Sequence, residues 1–129
     1  MKILGIDYGR KKIGIAFSES PLAEPVKTIF YEEVEVLLEQ IKRITQEKGV
    51  EQVVIGVSEG EMGEESQKFG KDLEKYLGIS VIPFDETLST LYAQELSIQA
   101  GIGRKKRHQM EDAYAATVML QNYLDSKKD

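Results

Sequence analysis

The first twenty residues constrain the fold most, because two short runs of apolar and β-branched residues flank a Gly-Arg-Lys-Lys turn. The runs extend from about Lys2 to Tyr8 and from about Lys12 to Ser18, a pattern typical of a β-hairpin. Asp7 ends the first run, where strand propensity disfavours a carboxylate and burial makes an unpaired one costly. We therefore expect a metal ion, a basic group or a phosphate-bearing ligand beside Asp7.

The remaining chain predicts strands and helices in alternation, each marked by its apolar period. The expected strands cover Val26–Tyr31, Gln52–Val57 and Ile79–Phe84. The expected helices cover Glu32–Lys48, Glu64–Leu77, a segment from Thr87 or Ser89 to Ala100, and Gln109–Asp125. This alternation favours a parallel portion of a sheet, whereas the opening hairpin favours an antiparallel portion. A mixed five-stranded sheet in one α/β domain over residues 1–129 satisfies both.

Composition excludes several classes of protein. The chain has 129 residues, of which 41% are hydrophobic and 30% charged, and this balance favours a globular domain with a real core. It contains no cysteine, which excludes disulfides, thiolate zinc sites and cysteine nucleophiles and fits a reducing cytoplasm. No apolar run approaches the roughly 20 residues that cross a bilayer. We expect a cytoplasmic protein that does not span a membrane.

Two basic clusters stand out in a chain whose formal net charge is -5. The first lies in the hairpin turn and the second before the final helix, and their members are Arg10, Lys11, Lys12, Arg104, Lys105, Lys106 and Arg107. The simplest interpretation is two solvated turns. The alternative is local contact with the phosphates of a nucleic acid beside an acidic centre.

Four carboxylates are candidates for that centre. Asp7 ends the first strand, and Asp85 and Glu86 end the last, so they meet at one edge if the first strand is central. Asp112 precedes an alanine-rich stretch that would let the final helix approach the sheet. Convergent carboxylates require a cation, and oxygen ligands favour Mg²⁺ or Mn²⁺ over zinc. Two such ions, about 3.5–4 Å apart, suit a phosphodiester displacement.

Each of these carboxylates also has a simpler interpretation. Asp7 is then a turn residue that accepts hydrogen bonds from the backbone of Gly9 and Arg10. One member of the Asp85-Glu86 pair is then a cap of the following helix, and Asp112 is an ordinary residue of a helix surface. Strand order distinguishes the two interpretations, because a central first strand brings the acidic residues together.

Four motifs follow one another along the chain, in Gly5–Ala16, Val54–Gly56, Phe84–Thr90 and Arg104–Leu120. In this order they resemble the YqgF-type family of RuvC-like, RNase H-fold nucleases, also called the Holliday-junction-resolvase-like or pre-16S rRNA nuclease family. The resemblance covers nearly the whole chain. The first motif alone is not specific, because actin-like and sugar-kinase ATPases also open with Asp-x-Gly before a second strand. Those ATPases need two such domains, and 129 residues supply one.

The resemblance implies an RNase H-like (RuvC/YqgF-type) three-layer α/β/α fold and a divalent-metal-dependent endonuclease of structured nucleic acid. It implies a role in maturing the 5′ end of the 16S rRNA precursor, with the ribosome as a further partner, or in resolving Holliday junctions of branched DNA. The resemblance also implies four catalytic residues, which are Asp7, Asp85, Glu86 and Asp112. Asp7, Glu86 and Asp112 are expected to bind Mg²⁺ or Mn²⁺.

This chain departs from the family pattern at three places. Thr87 stands where the family usually has an arginine, Val57-Ser58 replaces a usual proline after the second motif's glycine, and Glu19 replaces an aspartate. Thr87, together with the net negative charge of the chain, favours as an alternative a catalytically weak module that binds nucleic acid or the ribosome. The oligomeric state stays open between a monomer and a weak homodimer, because a symmetric junction calls for a two-fold dimer and RNA trimming does not.

Overall fold

A computed structural model describes residues 1–85 and 104–127, with the backbone alone given for residues 104–109. The strands are β1 (Ile3–Asp7), β2 (Lys12–Ser18), β3 (Glu24–Phe30), β4 (Gln52–Val57) and β5 (Val81–Asp85). The helices are α1 (Val34–Lys48), α2 (Gly60–Leu77) and α3 (Arg104–Ser126). The predicted third helix, from Thr87 or Ser89 to Ala100, lies outside the described residues.

The strands form one mixed five-stranded sheet, as the sequence predicts, and their order in it is β3-β2-β1-β4-β5. The central strand β1 is antiparallel to β2 and parallel to β4. The outer strands continue this division, because β3 is antiparallel to β2 and β5 is parallel to β4. The carboxyl ends of β1, β4 and β5 therefore lie at the same edge of the sheet.

Helices cover both faces of this sheet, which makes three layers. Residues of α1 and α2, among them Leu37, Ile41 and Leu73, pack with Leu4 and Ile6 of β1 on one face. On the other face α3 packs its own buried residues against Ile3, Ala16 and Val54, and these helix residues are Ala116, Met119, Leu120 and Tyr123. The three-layer α/β/α architecture is thus confirmed.

Small residues bring the backbone of α3 onto the sheet. A Cβ atom added to Gly14 in β2 would lie 1.8 Å from the carbonyl oxygen of Asp112, a distance at which the helix would have to move. A Cβ on Gly5 in β1 would lie 3.0 Å from Cβ of Leu120. Ala113 and Ala116 of α3 are fully buried. The backbone of α3 contacts β2 directly here because Gly14 carries no side chain.

Three element boundaries differ from their predictions. β3 begins at Glu24 rather than Val26, since Pro25 is tolerated in an edge strand. α2 begins at Gly60 rather than Glu64, and its first turn places Glu61 where the helix dipole favours an acidic residue. α3 begins at Arg104 rather than Gln109, because arginine and lysine are good helix formers and no stop signal separates them from Gln109.

The structure begins α1 at Val34 rather than at the predicted Glu32, and β5 at Val81 rather than at the predicted Ile79. Both differences are two residues, within the ordinary uncertainty of element ends. No helix in the described part of the chain combines the length and apolar content that crossing a membrane requires.

Candidate acidic site at the end of the central strand

Asp7 is the last residue of β1, and its side chain faces α3. Ile3 packs in the cluster on the α3 face, and the next position on that face, Gly5, meets Leu120 of the helix. Successive strand residues alternate between faces, so Asp7 follows Ile3 and Gly5. The Asp7 carboxylate is half-buried on the side of the sheet that α3 covers.

Glycines flank Asp7 on both neighbouring strands. Gly14 of β2 and Gly56 of β4 are its register partners. Directly opposed residues point to the same face, so neither of these two register partners places a side chain beside the carboxylate. The absence of a Cβ at Gly14 is also what allows α3 to approach the sheet here.

Asp112 enters this space from α3. The backbone of Asp112 lies against Gly14, which is also the register partner of Asp7, so the two aspartates belong to one location. The Asp112 side chain is 23% exposed, but its Oδ2 atom is buried and has no aligned hydrogen-bond donor among the described residues. The Nζ atom of Lys12 lies 3.1 Å from this oxygen and forms an ion pair with it.

Asp85 lies on the other face of the sheet. It ends β5 opposite Val57, and the preceding residue, Phe84, packs with the cluster on the α3 face. Asp85 is exposed and lines a pocket with Ser58, Glu59 and Gln67 next to α2. The structure therefore does not bring Asp85 to the face that holds Asp7. Glu86, the other member of the predicted pair, lies outside the described residues, as does Thr87.

The three basic residues of the hairpin turn have different surroundings. Arg10 pairs with α2, since its Nε donates to Oε2 of Glu65 at 2.8 Å and its guanidinium lies 4.0 Å from Glu61. The Glu65 carboxylate raises the pKa of Arg10. Lys11 is exposed and has no ion pair with a described residue. The second basic cluster has a helical backbone, and its side chains lie outside the part of the chain that the structure describes. Its members are Arg104, Lys105, Lys106 and Arg107.

Two residues that hold the turn, Tyr31 and Glu65, were not predicted from the sequence. The Tyr31 hydroxyl donates to the carbonyl oxygen of Gly9 at 2.5 Å, and burial together with the neighbouring Tyr8 raises its pKa, so it stays protonated as a donor. Glu65 holds Arg10 from α2. The only available signal for Glu65 is its spacing from Glu61, which places two carboxylates on one side of a helix.

The carboxylate chemistry of this location suits a hard divalent cation, because its donors are oxygens. Within residues 1–85 and 104–127, no three acidic or histidine side chains gather closely enough to hold a metal. The described part places two carboxylates, Asp7 and Asp112, at this location, and Oδ2 of Asp112 is buried with no aligned hydrogen-bond donor among the described residues.

Relatives of known sequence match nearly the whole length of this chain. The family model described as "RuvX: Holliday junction resolvase" matches residues 1–126. A protein of Bacillus cytotoxicus named "Putative pre-16S rRNA nuclease" is 38% identical, and the match covers 98% of this chain and 100% of that protein. A Geobacillus protein of the same name is 39% identical over 99% of this chain and 100% of its own.

Solved structures share the fold at low sequence identity. RuvC of T. thermophilus, in complex with a Holliday junction substrate, superposes with a TM-score of 0.65 at 12% identity, covering 100% of this chain and 98% of that one. The Fowlpox virus resolvase, in complex with Holliday junction DNA, gives a TM-score of 0.62 at 14% identity and covers 100% of both chains. The RNase H-like fold expected from the motifs is confirmed.

Proposed function

The chain belongs to the RuvX family, and we propose that it is a divalent-metal-dependent endonuclease that cleaves structured nucleic acid in processing the 5′ end of the 16S rRNA precursor. The observation that carries the proposal is the shared location of Asp7 and Asp112, joined through Gly14 at the end of the central strand. The choice of RNA follows the names of the relatives that are 38% and 39% identical.

In this proposal Asp7, Asp112 and Glu86 hold Mg²⁺ or Mn²⁺. Glu86 is preferred to Asp85 because Asp85 lies on the opposite face from Asp7. Oδ2 of Asp112 is buried with no aligned hydrogen-bond donor among the described residues, and it already lies 3.1 Å from a cation, Nζ of Lys12. This supports a ligand role, since a buried carboxylate oxygen needs a cation or a donor beside it. The cation, when bound, supplies a water of lowered pKa and stabilises the leaving oxyanion.

The chain's own residues orient the substrate in this proposal. Lys11 is exposed at the tip of the hairpin and is the freest of the three turn cations to contact a phosphate. Arg10 is held by Glu65 and has to exchange that partner for a phosphate. Residues Arg104, Lys105, Lys106 and Arg107 lead into Asp112 along α3 and are proposed as a second set of phosphate contacts.

We also propose that residues 1–129 act as one cytoplasmic domain, as a monomer or weak homodimer, with the precursor rRNA and the ribosome as partners. The edge strand β3 carries Pro25 and Lys27, residues that oppose pairing between sheet edges and so favour the monomer. Light scattering at increasing protein concentration measures the mass. A stable dimer at micromolar concentration would contradict this part of the proposal.

The proposal is tested by giving the wild type a pre-16S RNA fragment and a four-way DNA junction side by side, with Mg²⁺, Mn²⁺ or a chelator. We expect metal-dependent RNA cleavage and a loss of about 100-fold or more in Asp7→Asn, because that variant removes a carboxylate at the proposed reacting centre. Asp72→Asn, an exposed residue of α2, is the matched control and should cleave like the wild type.

Full cleavage by a correctly folded Asp7→Asn, checked by circular dichroism, would remove the assignment of the site. Preferential cleavage of the junction would favour the second candidate, a Holliday junction resolvase, which the description of the family model supports. RNA binding by the wild type without cleavage in either metal would identify a non-catalytic binding module.

A further inference from the structure

We propose that Lys12 is an internal counter-ion that occupies the cation position at Asp112 and is exchanged for the divalent metal when the metal binds. The inference rests on the proposed function for the identity of the metal. It assigns to Lys12 a role in controlling metal affinity, distinct from contact with a phosphate. Lys12 is thus a positioning residue, which holds Asp112 ready while no metal is bound.

Lys12 contacts the Asp112 carboxylate directly. Nζ of Lys12 lies 3.1 Å from Oδ2 of Asp112, and this oxygen is buried with no aligned hydrogen-bond donor among the described residues. A buried carboxylate oxygen needs compensation by a cation or a donor. Within the described residues Lys12 is the cation that supplies it, at the oxygen that is proposed to bind the metal.

The backbone of α3 holds Asp112 in this position. Its carbonyl oxygen is packed against Gly14, and a single Cβ at Gly14 would collide with it. The neighbouring Ala113 is fully buried. Because the helix backbone is held at Asp112, the movable partner of the ion pair is the lysine, whose side chain is 38% exposed.

Lys12 also lies near a second group that can contact its ammonium, the aromatic ring of Phe30. Its register partner on β3 is Phe30, and Nζ lies 6.0 Å from the centre of the Phe30 ring. This distance is within the range of a cation–π contact. The Phe30 side chain is 67% exposed, so a lysine that leaves Asp112 keeps both solvent and an aromatic face. The exchange therefore costs Lys12 little.

The test measures Mn²⁺ binding by electron paramagnetic resonance or calorimetry without nucleic acid. We expect Lys12→Met to bind Mn²⁺ about fivefold more tightly than the wild type, the upper range for an ion pair of this exposure. Lys27→Met, which removes the same charge from exposed strand β3, is the matched control and should change affinity less than twofold. The control accounts for the general effect of a more negative chain.

A second readout separates the exchange from a general loss of folding. Without metal, Lys12→Met should melt at a lower temperature than the wild type, and Mn²⁺ should raise its melting temperature more than that of the wild type. Equal or weaker Mn²⁺ binding by Lys12→Met would overturn the proposal. Absence of Mn²⁺ binding by the wild type would instead overturn the proposed metal-dependent function.

Discussion

Gly14 connects the two aspartates of the candidate site. It is the register partner of Asp7 and, on the same face, the point at which the backbone of α3 contacts the sheet. A glycine is required here because of space, since a Cβ would lie 1.8 Å from the carbonyl oxygen of Asp112. The position of Asp112 relative to Asp7 thus depends on the absence of a side chain at Gly14.

Gly14→Ala should therefore destabilise the protein and displace Asp112. We expect a loss of about 1–3 kcal/mol in the free energy of unfolding, the usual range for overpacking, measured by urea denaturation. Gly70→Ala in α2 is the matched control, because its Cβ would meet a side-chain atom, Cγ2 of Ile55, at 3.3 Å and alanine favours the helix. Wild-type stability and wild-type cleavage in Gly14→Ala would contradict this account of the site.

At the scale of elements, the hairpin turn is tied to its neighbours rather than free. Tyr31, which follows β3, binds it through the Gly9 and Lys11 carbonyl oxygens, and α2 binds it through Arg10. The three cations of the turn, which the sequence offers together as candidate phosphate contacts, therefore differ in their availability to a substrate. The acidic face of α2 competes with a substrate phosphate for Arg10.

Glu65→Gln should accordingly strengthen nucleic-acid binding. It removes the carboxylate that holds Arg10 and also removes a negative charge near the turn, so we expect about twofold tighter binding at low salt, less at high salt. Fluorescence anisotropy with labelled pre-16S RNA in an Asp7→Asn background measures binding without cleavage. Glu64→Gln, the exposed neighbour on α2, is the charge-matched control.

Binding in Glu65→Gln that is indistinguishable from Glu64→Gln would mean that Arg10 does not take part in binding the substrate. Weaker binding would indicate that the Arg10–Glu65 pair holds the turn in a shape that the substrate needs.

At the scale of the whole molecule, the core does not depend on the candidate metal site. The two apolar clusters lie along the length of the sheet, whereas Asp7 and Asp112 lie at one end of it. A chelator should leave the protein folded. A metal that binds the folded chain still stabilises it by mass action, by about 2.7 kcal/mol at 100 times its Kd.

Excess Mg²⁺ should thus raise the melting temperature of the wild type, and a chelator should reverse the rise. We expect Glu86→Gln to lose most of the rise and Asp85→Asn to keep it, because Asp85 lies on the opposite face of the sheet from Asp7. Differential scanning fluorimetry of the two variants measures this directly. Loss of the rise in Asp85→Asn, with Glu86→Gln unaffected, would reverse the assignment within the pair.

The sequence by itself determined the type of each described element and the order of these elements along the chain. The hairpin around Asp7, the buried run of β4 and the helical periods are local signals, and the alternation of strands and helices is sufficient for a mixed five-stranded sheet. The alanine-rich stretch after Asp112 likewise predicts a close approach of the final helix to the sheet, which the structure contains. These features follow from the periodicity of apolar residues and from side-chain size, both of which can be read from residues that are close together in the sequence.

Only the tertiary structure decided which charged groups meet. Sequence alone did not separate Asp85 from Glu86, since the pleat that turns Asp85 away from Asp7 depends on where β5 pairs with β4. Nor did it distinguish Arg10, paired with α2, from Lys12, paired with Asp112. These contacts join residues that are 55 and 100 positions apart, and their partners are set by how helices pack on the sheet.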